Sequence, residues 1–182
     1  AAEVHGVSTD VIVEALESLA VVPGRVQKVV NKSGVQAFVD FAHTPDSLRA
    51  VLMSARTSVG SGRVIVVFGC GGDRDREKRP EMGKIANELA DVAIVTSDNS
   101  RSEDPVAIIA DICSGMGKTS AVKIVNRRDA ISHAVNVAQS GDVVVVAGKG
   151  HETVQLVGTA SLSFSDVKEL ELAFAHKETA TS

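Results

Sequence analysis

The chain has 182 residues, 44% of them apolar, enough for one domain with a real core. Only 3% are aromatic, with no Trp or Tyr, so Val, Ile, Leu and Ala must fill that core, which suits a parallel sheet covered by helices. The net charge of −4, without a basic run, excludes a general nucleic-acid binder, and two cysteines exclude a disulfide framework. No apolar stretch approaches membrane-spanning length and no signal peptide is legible, so a reducing, cytoplasmic setting is expected. The start at Ala1-Ala2-Glu3, leading straight into a helix, reads as a piece of something longer.

Asp10 to Leu19 places Ile12, Ala15, Leu16 and Leu19 on one helical face, and Val22-Pro23-Gly24-Arg25 breaks that pattern. Val26–Val30 and Val35–Val39 are expected as a hairpin turning through Asn31-Lys32-Ser33-Gly34. A helix from Pro45 carries Leu48, Val51, Leu52 and Ala55. Unbroken apolar strands follow at Val64–Phe68, Val92–Thr96, Ala121–Val125 and Val143–Ala147. Between them lie helical stripes at Met82/Ile85/Ala86/Leu89, Val106/Ile109/Ala110/Cys113 and Ile131/Ala134/Val135/Ala138. This alternation predicts an α/β fold of Rossmann-like type: an open, mostly parallel sheet, helices on both faces, and a β-hairpin at the start. A strand pair at Val154–Val157 and Ser161–Phe164 turns at Gly158. A last helix begins at Asp166, and the small, polar residues from His176 onward are expected to fray.

Polar and glycine-rich clusters recur at one kind of place. Asp40–His43, Gly69–Arg76, Ser97–Asp104 and Gly148–Glu152 each follow an apolar strand. In a parallel sheet such loops share the carboxyl edge, where ligands of these folds bind. Ser97-Asp-Asn-Ser-Arg-Ser-Glu-Asp-Pro105 is the most charged: its carboxylates suit an ammonium and Arg101 can fork onto a carboxylate. It also reads as a solvated loop in which Asp104 caps the next helix and Pro105 opens it. Asp73-Arg74-Asp75-Arg76 is equally a self-paired turn, and His151 a hydrogen-bonded loop histidine.

Nucleotide motifs fail on spacing and order. In Gly115-Met-Gly-Lys118-Thr119 the first Gly of a P-loop would fall on Ile112, and the segment runs helix to strand rather than strand to helix. The third Gly of a dinucleotide fingerprint would fall on Arg74 after Gly69, and on Thr153 after Gly148. Asp40, His43 and Asp46 lack the number and spacing of a metal site. Glu103 and Asp104 stand too far along their loop for a catalytic carboxylate pair.

Val22-Pro23-Gly24-Arg25, Asp40-Phe-Ala-His-Thr-Pro-Asp46, Gly69-Cys-Gly-Gly-Asp-Arg-Asp75 with Lys78-Arg79-Pro80, Asp98-Asn-Ser-Arg101 and Ala147-Gly-Lys-Gly-His-Glu152 occur in that order. Together they closely resemble the Mur ligases of peptidoglycan synthesis, and among them the members that add the third amino acid of the stem peptide. The resemblance implies a three-domain enzyme in which this chain is the carboxyl-terminal, amino-acid-binding domain (22–176), followed by a tail (177–182). Residues 1–21 would be the last helix of a central domain that holds the P-loop, ATP, Mg²⁺ and a carbamylated Lys. It implies ATP-dependent amide formation through an acyl phosphate, with no catalytic residue in this piece and UDP-N-acetylmuramoyl-dipeptide held by the other domains.

By the same resemblance, Asp98, Asn99, Ser100 and Arg101 hold the side-chain end of the incoming amino acid. The Arg at the end of that motif marks members that take meso-diaminopimelate. Arg74 matches a second carboxylate-binding Arg, and Gly148 and Glu152 match the pair that receives the distal amino group. Arg25, Asp40 and His43 lie towards ATP at the interdomain cleft. Two positions depart from the family pattern: Ser100 stands for Pro, and Phe41 for Tyr. A lysine-adding ligase and a stand-alone, non-catalytic module for an amino acid or nucleotide remain the alternative readings.

Overall fold

A computed structural model of the chain describes residues 6–12, 22–117 and 121–180. Most of the helix expected over residues 10–19 lies outside them; residues 9–12 are helical, with Ile12 N–H donating to Ser8 O. Beyond residue 22 the strands are β1 (Gln27–Val29), β2 (Gln36–Asp40), β3 (Val64–Phe68), β4 (Val92–Val95), β5 (Val122–Lys123), β6 (Val143–Ala147), β7 (Val154–Val157) and β8 (Ala160–Ser163). The helices that follow residue 22 are α1 (Pro45–Ser58), α2 (Lys78–Leu89), α3 (Pro105–Ser114), α4 (Arg127–Val137) and α5 (Asp166–Ala180).

One six-stranded sheet has the order β1-β2-β6-β3-β4-β5, parallel throughout except for the opening β1–β2 hairpin. The expected α/β class is therefore the observed one. Unbroken apolar strands are explained by burial on both faces. Val64, Val66 and Phe68 of β3, with Val143 and Val145 of β6, face a core shared with α1, α2 and α3. Ile65, Val67, Val144 and Val146 face the opposite core, shared with α4 and α5.

Local sequence sets the element ends. Thr44 and Ser47 form a reciprocal capping box before Pro45 opens α1. Asp104 accepts from Val106 N–H at the start of α3, the capping role read for it from sequence. The stripes of α1 and α4 match expectation, but that of α3 does not: Ile108, Ile109 and Ile112 are buried, while Val106 is 56% exposed. An almost wholly apolar helix offers two stripes. Burying Ile112 rather than Ala110 gains three carbons, about 2 kcal/mol at roughly 0.8 kcal/mol per carbon. The ion pair from Arg79 to Asp111 fixes the same rotation.

Two other boundaries shift. β5 has two ladder registers, Ile94↔Val122 and Val95↔Lys123, and the rest of the expected strand continues as bonds from Ile124 N–H to Val95 O and from Ser97 N–H to Val125 O. The residues expected to fray from His176 continue α5 to Ala180, anchored where the Lys177 ammonium donates to the carbonyls of Val135 and Ala138 at the end of α4.

Arg127, the first residue of α4, is 1% exposed. Its Nε and Nη2 each donate at 2.7 Å to the Asp166 carboxylate, itself fully buried at the start of α5. Nη2 also reaches Ala147 O at the end of β6, and Nη1 reaches Ser97 O just past β4. Breaking one side of such a pair leaves a buried charge unmatched. Asp166→Asn should therefore cost about 3–5 kcal/mol in urea unfolding, and Arg127→Met with Asp166→Leu distinctly less. A double variant as damaged as the single one would mean that packing, not charge, is what this pair supplies.

Candidate functional site

The four polar loops after β2, β3, β4 and β6 meet at one edge because those strands are neighbours in the sheet. Between them lies a cavity of about 420 Å³. Its wall includes Phe41 and His43 after β2, Gly69, Cys70, Gly71 and Arg74 after β3, Asp98, Asn99 and Arg101 after β4, and Gly148 and Glu152 after β6. Lys78 of α2 closes one side.

Charge is sorted across this wall. On the β3 side, a Cβ placed on Gly71 would lie 3.0 Å from Arg101 Nη1 and 3.7 Å from Arg74 Cγ, so both arginines converge there. On the β6 side stand Asp98, Asn99 and Glu152. Gly148 holds φ at +120°, and a Cβ on it would fall 2.8 Å from Asp98 Oδ2. Both the dihedral and the close approach require glycine. The cavity thus brings two guanidinium side chains together near Gly71 and two carboxylates near Gly148, with Asp75 and Lys78 also on its wall, an arrangement that fits a ligand carrying both a carboxylate and an ammonium.

Arg101 sits in the left-handed region at φ 51°, costly for a residue with a Cβ. The β7–β8 hairpin holds it there: Arg101 N–H donates to Leu156 O of β7, and the N–H of Gly158 in the turn donates to Arg101 O at 2.7 Å. The guanidinium spans to Gly72 O at 2.8 Å. Gly72 itself packs on the neighbouring loop so closely that a Cβ would lie 1.9 Å from Ser100 O. Asn99 is the hub of the other side. Its Nδ2 donates to Glu152 Oε2 at 2.9 Å, and its Oδ1 accepts from Leu156 N–H and from Lys149 Nζ.

A clamp ties the β3 and β4 loops together behind the cavity. Arg79, fully buried on α2, forks onto Glu103 at 3.0 and 2.9 Å, and Arg76 adds a third contact. Glu103 also accepts from Asp73 N–H, while Asp73 accepts from the hydroxyl and N–H of Ser102. The Ser102 hydroxyl bond is the main reason that the Asp73 carboxyl lies below its usual range.

The sequence-derived residues do not all stand alike. Arg74, Asp98, Asn99, Arg101, Gly148, Glu152 and His43 are gathered on the cavity wall; Ser100, Arg25 and Asp40 are not. Ser100 is 1% exposed and contributes its carbonyl, which accepts from Glu103 N–H. Asp40 is buried, with its carboxylate oxygens accepting from Val26 N–H and Ala42 N–H. The first of these bonds holds Val26 at φ 44°, a strained dihedral for a β-branched residue. Arg25 lies over the Phe41 ring, 5.0 Å from its centroid, with His43 and His151 on the same ring. This outer cluster of cations and rings borders the cavity.

Sequence reasoning missed the groups behind the wall: Lys149, Arg79, Arg127, and Gln155, which donates to Ser97 Oγ and Asp98 O. Their one signal was charge or amide polarity beside an apolar strand or inside a glycine-framed loop. Cys70 is on the wall, but burial pushes its thiol up to about 12, so it is protonated and a poor nucleophile at neutral pH. Among the described residues no group of three or more His, Cys, Asp or Glu is placed to hold a metal ion, so Mg²⁺ is not assigned to them. No described helix is long and apolar enough to cross a membrane.

Comparison with known proteins agrees with this geometry. The family model for the Mur ligase, glutamate ligase domain, matches residues 24–150. A UDP-N-acetylmuramoyl-L-alanyl-D-glutamate–2,6-diaminopimelate ligase of Syntrophomonas wolfei is 51% identical over 167 residues, covering 90% of this chain and 34% of that protein. The Brucella melitensis protein of the same name is 51% identical over 175 residues, covering 96% of this chain and 35% of its own. A solved structure of a ligase with that name superposes with a TM-score of 0.80 at 41% identity, covering 97% of this chain and 36% of that one. The chain therefore spans about a third of the length of the relatives that it matches.

The clamp makes a test by pH. The Glu103 carboxyl is held down to about 2 from an ordinary 4.5, first by the Arg79 hydrogen bonds and then by Asp73 N–H. Because the folded value lies below the unfolded one, the stabilisation is present above 4.5 and is lost as pH falls towards 2. The urea midpoint of Glu103→Gln should lie below that of the parent at neutral pH and converge on it across this window. A gap that stays constant down to the lower limit would remove Glu103 from the clamp.

Proposed function

The chain belongs to the Mur ligase family through its glutamate ligase domain, and on that footing we propose that it binds the incoming amino acid of a ligase joining meso-diaminopimelate to UDP-N-acetylmuramoyl-L-alanyl-D-glutamate. The observation that carries this reading is the sorted cavity: Arg74 and Arg101 on one side, Asp98, Asn99 and Glu152 on the other. A distal amino-acid centre, with one carboxylate and one ammonium, presents a partner to each of these groups. The names of two relatives, each 51% identical, support the same acceptor.

In this reading ATP and Mg²⁺ would be held chiefly by domains beyond this chain and would supply the activation of the dipeptide carboxylate. What these residues do is hold the acceptor. Arg74 and Arg101 take the distal carboxylate. Gly148 leaves room for the distal ammonium beside Asp98 and Glu152. The reacting amine is thereby left at the open side, aimed at the acyl group, where orientation rather than acid–base chemistry supplies the rate. Arg25 and His43, with Phe41 and His151, form the border towards the nucleotide; Asp40 keeps that border in shape through Val26 and Ala42. Residues 22–176 are the amino-acid-binding domain, and residues 1–21 belong to the domain that precedes it.

Arg101→Lys replaces a planar fork by a point charge. In a ligase carrying this domain it should raise the KM for meso-diaminopimelate at least about tenfold, near 1.4 kcal/mol, and leave that for ATP nearly unchanged. An unchanged diaminopimelate KM, or parent enzyme that uses lysine as well as diaminopimelate, would overturn the assignment.

A further inference from the structure

We propose that Lys149 is a positioning residue of this site: its ammonium fixes the direction of the Asn99 amide and the charge balance of the wall formed by Asp98 and Glu152. The inference deepens the amino-acid-binding reading and rests on it for the identity of the ligand. Lys149 is 0% exposed, and it is not part of the cavity wall. A buried ammonium is tolerated only when acceptors surround it, so those acceptors are tied to it in turn. Its Nζ donates to Asn99 Oδ1 at 3.0 Å and to Glu152 Oε2 at 2.9 Å, and lies 4.0 Å from Asp98 Oδ1.

Two consequences follow for the wall. A side-chain amide can be turned end for end at little steric cost, and only its partners decide which end points where. With Lys149 and Leu156 N–H both donating, the oxygen of Asn99 must face inward, which sends Nδ2 to Glu152. Turned round, the amide would set donors against donors. The second consequence is charge. Asp98 and Glu152 bring two negative charges to the cavity and Lys149 cancels one from behind, leaving a single uncompensated charge to meet a single ammonium.

The test uses the 182-residue chain. Two quantities are measured: hydrogen exchange of the Asn99 side-chain amide by NMR, and calorimetric binding of meso-diaminopimelate. In Lys149→Met the amide should exchange at least about tenfold faster, and diaminopimelate should bind at least about tenfold more weakly. Adding Glu152→Gln should then cost less than the sum of the two single losses, since both act on one network. Unchanged amide exchange, or strictly additive losses, overturns the proposal. If the amide responds as expected but the parent chain binds no diaminopimelate, the positioning role stands and the ligand assignment falls. Should Lys149→Met not fold, Lys149→Gln, which keeps a donor without the charge, is read by the same two measurements.

Discussion

Arg127 bears a charge with no access to water, and the carboxyl edge of the sheet is organised by how that charge is satisfied. One guanidinium reaches Asp166 at the start of α5, Ala147 O at the end of β6 and Ser97 O beyond β4. These are the points where the chain leaves the sheet for the two loops that carry Gly148 to Glu152 and Asp98 to Arg101. The planar fork supplies donors in fixed directions, so the strand ends are held in register with the helices beneath them. Flexible apolar packing would bury as much surface without fixing where each loop begins.

On that floor the site is built from paired backbones rather than from long free side chains. Arg79 and Glu103 bind the β3 loop to the β4 loop, and β7 binds the β4 loop from the other side. The functional side chains then project from backbone that has little freedom left. This suits the proposed role of holding an acceptor at the right distance and angle. It also accounts for the strained dihedrals at Val26, Asp73 and Arg101: each lies on a polar loop or its approach, and each sits in a hydrogen-bonded frame that offsets its cost.

Much of this was legible in the chain itself. Unbroken apolar runs such as Val64–Phe68 and Val143–Ala147 have one comfortable place, the middle of a covered parallel sheet, and that fixes where the loops after them emerge. Gly148 was legible only through the resemblance carried by Ala147-Gly-Lys-Gly-His-Glu152, and Asp98, Asn99 and Arg101 also because their chemistry exceeds what a turn needs. What could not be read was depth. A Lys or Arg at a strand or helix end looks solvated until the partners that bury it are known: beside its local partner Glu152, Lys149 meets Asn99, 50 residues away, and Arg127 meets Asp166, 39 residues away. The face of α3 was misjudged for a related reason: its apolar residues permit two stripes, and the choice belongs to Arg79 on another helix. Ser100 is a third case, since its motif gave it a ligand but its burial gives it a place under the loop.

The backbone of Arg101 has its own consequence. Its amide and its carbonyl are both taken by the β7–β8 hairpin, so the peptide at this position is held whatever side chain it bears. The hairpin works as a socket, and the residue as an exchangeable bit. On the proposed reading, the side chain that meets the acceptor could therefore be exchanged without rebuilding the loop, provided the replacement tolerates a left-handed turn. Asn, Gly or Lys would seat in that socket; Val or Ile would strain it.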